Sequence, residues 1–240
     1  MSIIAIEFNL VMNVKVIAFD ADDTLWVNEP YFRATEEKFC QLFSDFLPVH
    51  DIERELMKTI IGNLGLYGYG IKGFVLSMIE TALTITDGKI NTDGVGKILT
   101  LGKEMLNKPI ELLEGVEELL QTLQGKYRLV VATKGDLLDQ ERKLKKSNLL
   151  QYFHHIEVMS EKEDAGYLKL VKHLDIQPHE LLMVGNSLRS DIIPVLNIGG
   201  HAIHVPYHIT WAHEMVEHLV EHENFKSVTH IQEILPYLSL

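Results

Sequence analysis

Cysteine is nearly absent. The chain of 240 residues carries one, Cys40, which excludes an internal disulfide and a cysteine-based zinc site. That usage is compatible with a reducing compartment, and a cytoplasmic location is the expectation. No apolar run reaches the roughly 18 residues that a membrane helix needs, so no membrane partner is expected. The stretch from Met1 to Val11 is apolar but holds Glu7 and no basic residue, which argues against a secretory signal. It reads either as an extra strand or as an extension dispensable for the fold. Basic residues are also scarce, 22 against 34 acidic ones, for a net charge of −12. Such a field repels phosphate backbones, so polymeric nucleic acid is not an expected partner. Small anions remain possible at a locally positive site. There is no internal repeat and no low-complexity linker. Hydrophobic residues make up 46% and charged residues 23%, which places the chain among globular proteins. Its length suits one or two domains with a real core.

Val14–Phe19 is a short apolar, β-branched run and reads as a buried strand. Tyr127–Ala132, His155–Met159, Leu181–Gly185 and His201–Val205 resemble it. Between them lie helical spacings: Val116, Leu119, Leu120 and Leu123; Leu137, Leu138 and Leu144; Tyr167, Leu170, Val171 and Leu174. Strands alternating with helices predict an α/β fold, a Rossmann-like parallel sheet with helices on both faces. Residues 28–110 break the alternation. Phe32, Thr35, Phe39, Leu42 and Phe46 form one helical stripe, Ile71 to Leu83 a second, and Val95 to Leu106 a weaker third. This predicts a helical insert of roughly 80 residues inside a core formed by 1–27 and 111–240.

The first strand runs into Asp20-Ala21-Asp22-Asp23-Thr24. Three carboxylates in four positions repel one another unless a cation or shared proton offsets the repulsion. Asp20 and Asp22 lean to one side of an extended backbone. The other strand ends carry Thr133-Lys134-Gly135-Asp136, Ser160-Glu161-Lys162, and Gly185-Asn186-Ser187 followed by Asp191. In open α/β sheets ligands bind at the carboxyl ends of strands, so four polar clusters at four such ends point to one site.

In this order the clusters resemble the four motifs of the haloacid dehalogenase (HAD) superfamily, and the insert resembles its helical C1 cap. The likeness covers nearly the whole chain from Val14 onward. Two positions depart from the pattern. Asp23 stands where the family usually has glycine, a change that turn geometry tolerates. Asn186 stands where it usually has aspartate, which supplies an oxygen to a cation but no charge.

The resemblance implies a Mg²⁺-dependent phosphatase of small phosphorylated metabolites, working through an aspartyl-phosphate. Asp20 is then the nucleophile and Asp22 the general acid and base. Thr133 bonds a transferring oxygen, with Lys134 and Gly135 beside it, and Lys162 neutralises charge. Mg²⁺ is held by Asp20, the backbone of Asp22, and Asn186 or Asp191. Asp22 with Asp191 favours phosphate over halide, because a departing halide needs no proton. A phosphomutase or a phosphonatase on the same scaffold is the alternative. A 2-haloacid dehalogenase and a non-catalytic binding protein rank behind these, the latter because the catalytic set is intact.

Gly62 to Gly73 holds five of the 16 glycines. It reads as a loop facing the site, with Tyr67, Tyr69 and Lys72 as substrate contacts, or as a turn between helices. Arg33 and Lys72 either meet an anionic substrate group or lie on solvated helix faces. His213, His218 and His222 read as histidines of an exposed acidic helix rather than a zinc site. His204, His208 and Trp211 follow the fifth strand and could border the site. A monomer or a homodimer is expected.

Overall fold

The computed structural model describes residues 13–239. The question of a strand, signal or extension over residues 1–11 lies outside them. Six strands form one parallel sheet: β1 (Val16–Phe19), β2 (Arg128–Lys134), β3 (His155–Met159), β4 (Leu181–Gly185), β5 (His201–His204) and β6 (Phe225–Ser227). Their order is β3-β2-β1-β4-β5-β6, so β1 is central and flanked by β2 and β4. Successive side chains of a strand point to opposite faces, and both faces here are apolar. Ile17, Phe19, Leu129 and Val131 pack on one side against helix α5 (Val116–Leu123) and the C-terminal turn at Ile231 and Ile234. Val16, Ala18, Val130 and Met183 pack on the other against α7 (Asp164–His173) and α8 (Ile193–Asn197). Burial on both faces is why the strands read as continuous apolar runs.

Between β1 and α5 stand four helices: α1 (Glu29–Leu42), α2 (Val49–Tyr67), α3 (Ile71–Ile85) and α4 (Thr92–Asn107). They close their own core around Phe39, Ile52, Leu56, Phe74, Met78 and Ile98, with Cys40 as a buried packing residue. The two crossings between insert and sheet pair with each other. Trp26 bridges Leu112, Val27 N–H donates to the Glu111 carbonyl, and Leu113 N–H donates to the Leu25 carbonyl. No helix among the described residues is long and apolar enough to cross a membrane.

Four expectations need correcting. Gly62 and Gly65 do not belong to a loop; they lie inside α2, with open space where a side chain would be. Burial of Ile52 and Leu56 on that helix outweighs the roughly 1 kcal/mol that each glycine costs. The break is confined to Gly68–Gly70, where φ is +69° and +105° at the two glycines. In α6 (Leu137–Lys146) Leu137 and Leu138 are exposed, and the inward face holds Asp139, Gln140 and Leu144. Part of that face looks onto the polar site, so its leucines are not its core stripe. Leu42 and Phe46, counted in the α1 stripe, are exposed as well. The segment His213–His222 is not a helix: a short turn over Ala212–Glu214 precedes irregular chain. The short strand β6 had no readable pattern.

Candidate active site

The carboxyl ends of β1, β2 and β4, and the loop after β3, meet under the insert. They enclose a cavity of about 190 Å³ lined by Asp20, Asp22, Thr133, Lys134, Gly135, Lys162, Asn186 and Asp191, with Tyr67 and Tyr69 on the insert side. Asp20, Asp22, Tyr67, Tyr69, Thr133, Lys134, Gly135, Lys162, Asn186 and Asp191, all singled out from the sequence, therefore converge. Lys72 does not line the cavity: its Nζ lies 2.9 Å from Asp136 Oδ1, at the start of α6. Arg33 also lies outside the lining residues, engaged by Glu29 at 3.0 Å and 3.7 Å from Glu36. Trp211 lines the cavity, His204 Nε2 lies 3.0 Å from the Asn186 carbonyl, and His208 is not among the lining residues.

Lys162 sits at the centre, 3% exposed. Its ammonium contacts Asp20 Oδ1 and lies 2.6 Å from Asp191 Oδ1. Burial works against its charge, but Asp191 and Asp20 outweigh burial and hold the ammonium protonated above its ordinary range. Burial likewise raises the Asp20 carboxyl, opposed by Lys162 and reinforced by Asp191. Asp191 also accepts the Ser187 N–H at 3.0 Å. A side chain at position 185 would place Cβ 2.3 Å from Asp191 Oδ2, so only glycine lets that carboxylate seat.

Asp22 is held differently. Oδ1 accepts from Trp26 Nε1 at 2.7 Å and Lys143 Nζ at 2.8 Å, and Oδ2 accepts from Gln140 Nε2 at 2.9 Å. Burial opposes ionisation, but Lys143 and these donors carry the carboxyl below its ordinary range. Asp22 is thus an ionised base in this arrangement and must take up a proton before it can act as an acid. Lys143 also reaches Asn28 Oδ1, at 2.9 Å, on the first crossing.

Lys143, Gln140 and Trp26 were not legible from sequence, nor was Glu214. Its carboxylate contacts Lys134 and accepts from Ser187 and Ser190 hydroxyls at 2.5 and 2.6 Å. Burial opposes its charge, yet Lys134 and the hydroxyls bring it down to about 2. Lys134 is further capped by the Tyr69 ring, 4.3 Å from its centroid. The Tyr69 hydroxyl donates to Glu161 at 3.0 Å, and the ring meets Trp211 edge-on. Tyr67 turns its hydroxyl to Glu80 on α3.

Asp23 has φ +61°, the left-handed conformation expected of its usual glycine. Its carboxylate also accepts the Asn28 N–H at 2.8 Å and the Glu29 N–H at 2.9 and 3.0 Å. Those are orphan donors at the start of α1, where Pro30 supplies none.

The residues fit a hard divalent cation. Thr24 Oγ1 lies 3.2 Å from Asp20 Oδ2 and 3.3 Å from Asn186 Oδ1, which brings those two oxygens together. One hydroxyl proton serves only one of them at a time. Asp20 and Asp191 are two carboxyl groups that share the one ammonium of Lys162. An oxygen-rich cluster of this kind suits Mg²⁺.

Comparison with known proteins agrees with this arrangement. The model of the haloacid dehalogenase-like hydrolases matches residues 14–199. A haloacid dehalogenase-like family hydrolase from Xanthomonas campestris is 36% identical and superposes with a TM-score of 0.83, covering 93% of this chain and 89% of its own. The HAD-hydrolase YfnB of Bacillus subtilis is 26% identical over 192 residues, 74% of this chain and 78% of that protein. Its magnesium-bound structure superposes with a TM-score of 0.64, at 18% identity, over 95% of this chain and all of that one. A 2-haloacid dehalogenase from Pseudomonas syringae also has a TM-score of 0.64 at 15% identity, covering 93% of this chain and 97% of its own; it shares the fold, which does not choose among activities. With the four motif clusters gathered in one cavity under a helical insert, the chain belongs to the haloacid dehalogenase-like hydrolase family.

Proposed function

We propose that the protein is a Mg²⁺-dependent phosphatase of small phosphorylated metabolites. The observation that carries the reading is Asp22, a second carboxylate in the cavity, held by three hydrogen bonds beside the buried Asp20–Lys162–Asp191 cluster. Expulsion of an alkoxide needs a proton donor, whereas expulsion of a halide does not.

In the first half-reaction an Asp20 carboxylate oxygen attacks phosphorus, and the bond from phosphorus to the ester oxygen breaks. The departing oxygen takes the proton that Asp22 has acquired. In the second half, Asp22 removes a proton from water, the water oxygen bonds to phosphorus, and the Asp20 acyl-phosphate bond breaks, releasing phosphate. Thr133, 1% exposed at the end of β2, donates to a transferring oxygen. Lys162 offsets the charge of the phosphoryl group and Asp20. Asp20, the Asp22 backbone carbonyl, Asn186 and Asp191 are the ligands that would hold Mg²⁺. The ion, when bound, offsets developing negative charge and orients the phosphoryl oxygens.

The cavity also bears on the leaving group. Its insert-side wall is apolar, with Phe32, Ile60, Leu64 and Phe74, and the carboxyl groups there, Glu29 and Glu36, are held toward the neutral form by burial and would ionise beside a bound ammonium. The cations lining it among the described residues are Lys134, Lys143 and Lys162, and each is paired with a carboxylate. This favours an uncharged or cationic organic group over one with a second phosphate or carboxylate. It also favours water over a phosphorylated acceptor, and so hydrolysis over a mutase reaction.

A phosphate-release screen with and without Mg²⁺ tests the reading. Esters of neutral or amine-bearing alcohols should turn over faster than esters carrying a second acid, and chelation should stop both. Absence of phosphate release from the whole panel, with halide release from a 2-haloacid, would overturn it.

A further inference from the structure

We propose that His155, Glu157 and His173 form a second metal site, for Zn²⁺ or a similar borderline transition-metal ion. None of the three lines the catalytic cavity. His155 and Glu157 are two apart on β3, an edge strand, so they share one face of it. His173 is the last residue of α7. Glu157 Oε2 lies 2.9 Å from His155 Nε2 and 3.2 Å from His173 Nδ1. The three ligand atoms all fall within 4.8 Å of one another, and the imidazole rings meet edge-on with centroids 4.8 Å apart.

Tetrahedral Zn²⁺ binds imidazole nitrogen and carboxylate oxygen at about 2.0–2.2 Å, which spaces neighbouring ligand atoms about 3.3–3.5 Å apart. The 3.2 Å separation is within about 0.3 Å of that spacing, and the 2.9 Å one needs to open by about 0.5 Å. A single carboxylate oxygen between two ring nitrogens already collects the donor set, and the metal would replace those two contacts. All three side chains keep partial exposure, so water can complete a fourth position. Two nitrogens and one oxygen suit Zn²⁺, while Mg²⁺ demands oxygen ligands and does not compete. The site would tie the edge strand to the far end of α7. The loop between them carries Lys162, so the expected effect is on the rigidity of that unit.

The test uses the full chain in excess Mg²⁺, with Zn²⁺ added alone at micromolar concentration. Calorimetry should find Zn²⁺ binding, and the melting temperature should rise. In the double variant His155→Asn, His173→Asn the affinity should fall at least tenfold and the rise should vanish. Asp20→Asn should retain both, which separates this site from the catalytic one. Co²⁺ in place of Zn²⁺ should give the visible absorption of a four-coordinate ion in the parent and not in the double variant. Phosphate release by His173→Asn should equal that of the parent. Equal Zn²⁺ affinity and equal melting shift in parent and double variant would overturn the proposal, as would binding by the parent only at millimolar Zn²⁺.

Discussion

Asp23 offers a way to separate backbone conformation from hydrogen bonding. Its carboxylate makes three contacts to the two N–H groups that open α1, at a φ of +61°. Three replacements divide these roles. Asp23→Gly removes the acceptor and accepts the backbone, so it should lose the cap, about 1–2 kcal/mol. Asp23→Ala loses the same cap and adds left-handed strain of roughly 1–2 kcal/mol. Glycine's greater freedom in the unfolded chain returns about 0.5–1 kcal/mol of that difference. The net expectation is that alanine is about 1 kcal/mol worse than glycine. Both remove the same buried carboxylate beside Asp22 and Glu29, so relief of that repulsion cancels from the comparison. Asp23→Asn keeps the Oδ1 acceptor, which takes both N–H groups, and tolerates the left-handed region, so it should lie closest to the parent. Urea unfolding of the four proteins gives the order directly. An alanine variant as stable as the glycine variant would refute the conformational part. An asparagine variant no more stable than the glycine variant would refute the cap.

Other expectations follow from single positions. Gly62→Ala with Gly65→Ala should raise stability by about 1 kcal/mol or more, since both lie in α2 facing open space. Gly70→Ala should be destabilising, because φ is +105° and a Cβ would lie 3.2 Å from the Asp136 amide nitrogen; thermal melting distinguishes the pair. Asn186→Asp should lower the Mg²⁺ concentration needed for half activity by tenfold or more. The added charge gains up to about 4 kcal/mol at 4 Å and an effective dielectric near 20, before desolvation subtracts, and an unchanged titration would remove Asn186 from the ion's surroundings. Burial holds the Glu36 carboxyl up at about 7 against an ordinary 4.5, so the folded protein keeps a proton that the unfolded chain has lost. Stability should therefore fall as pH rises from 4.5 through about 7, and Glu36→Gln should flatten that slope in unfolding measurements across pH.

The sheet was legible because its strands are buried on both faces, so Val16–Phe19 and Leu181–Gly185 read as uninterrupted apolar runs. The site was legible because its main residues sit at strand ends, where spacing along the chain survives folding. What stayed hidden depends on packing. Two glycines disguised the end of α2 as a loop, and only the cap core reveals why it stays helical. Lys143 approaches Asp22 from 121 residues away, and nothing in a surface-type helix pattern marks it. Arg33 and Lys72 looked like substrate contacts because their ion partners, Glu29, Glu36 and Asp136, could not be assigned from sequence.

In the proposed mechanism Asp20 carries the phosphoryl group between the two half-reactions. Acid quenching of the protein during turnover of a phosphate ester, followed by digestion and mass spectrometry, tests it most directly. A phosphoryl adduct is expected on the peptide containing Asp20, abolished together with turnover in Asp20→Asn. An adduct on another residue, or an Asp20→Asn variant that releases phosphate within tenfold of the parent rate, would contradict it.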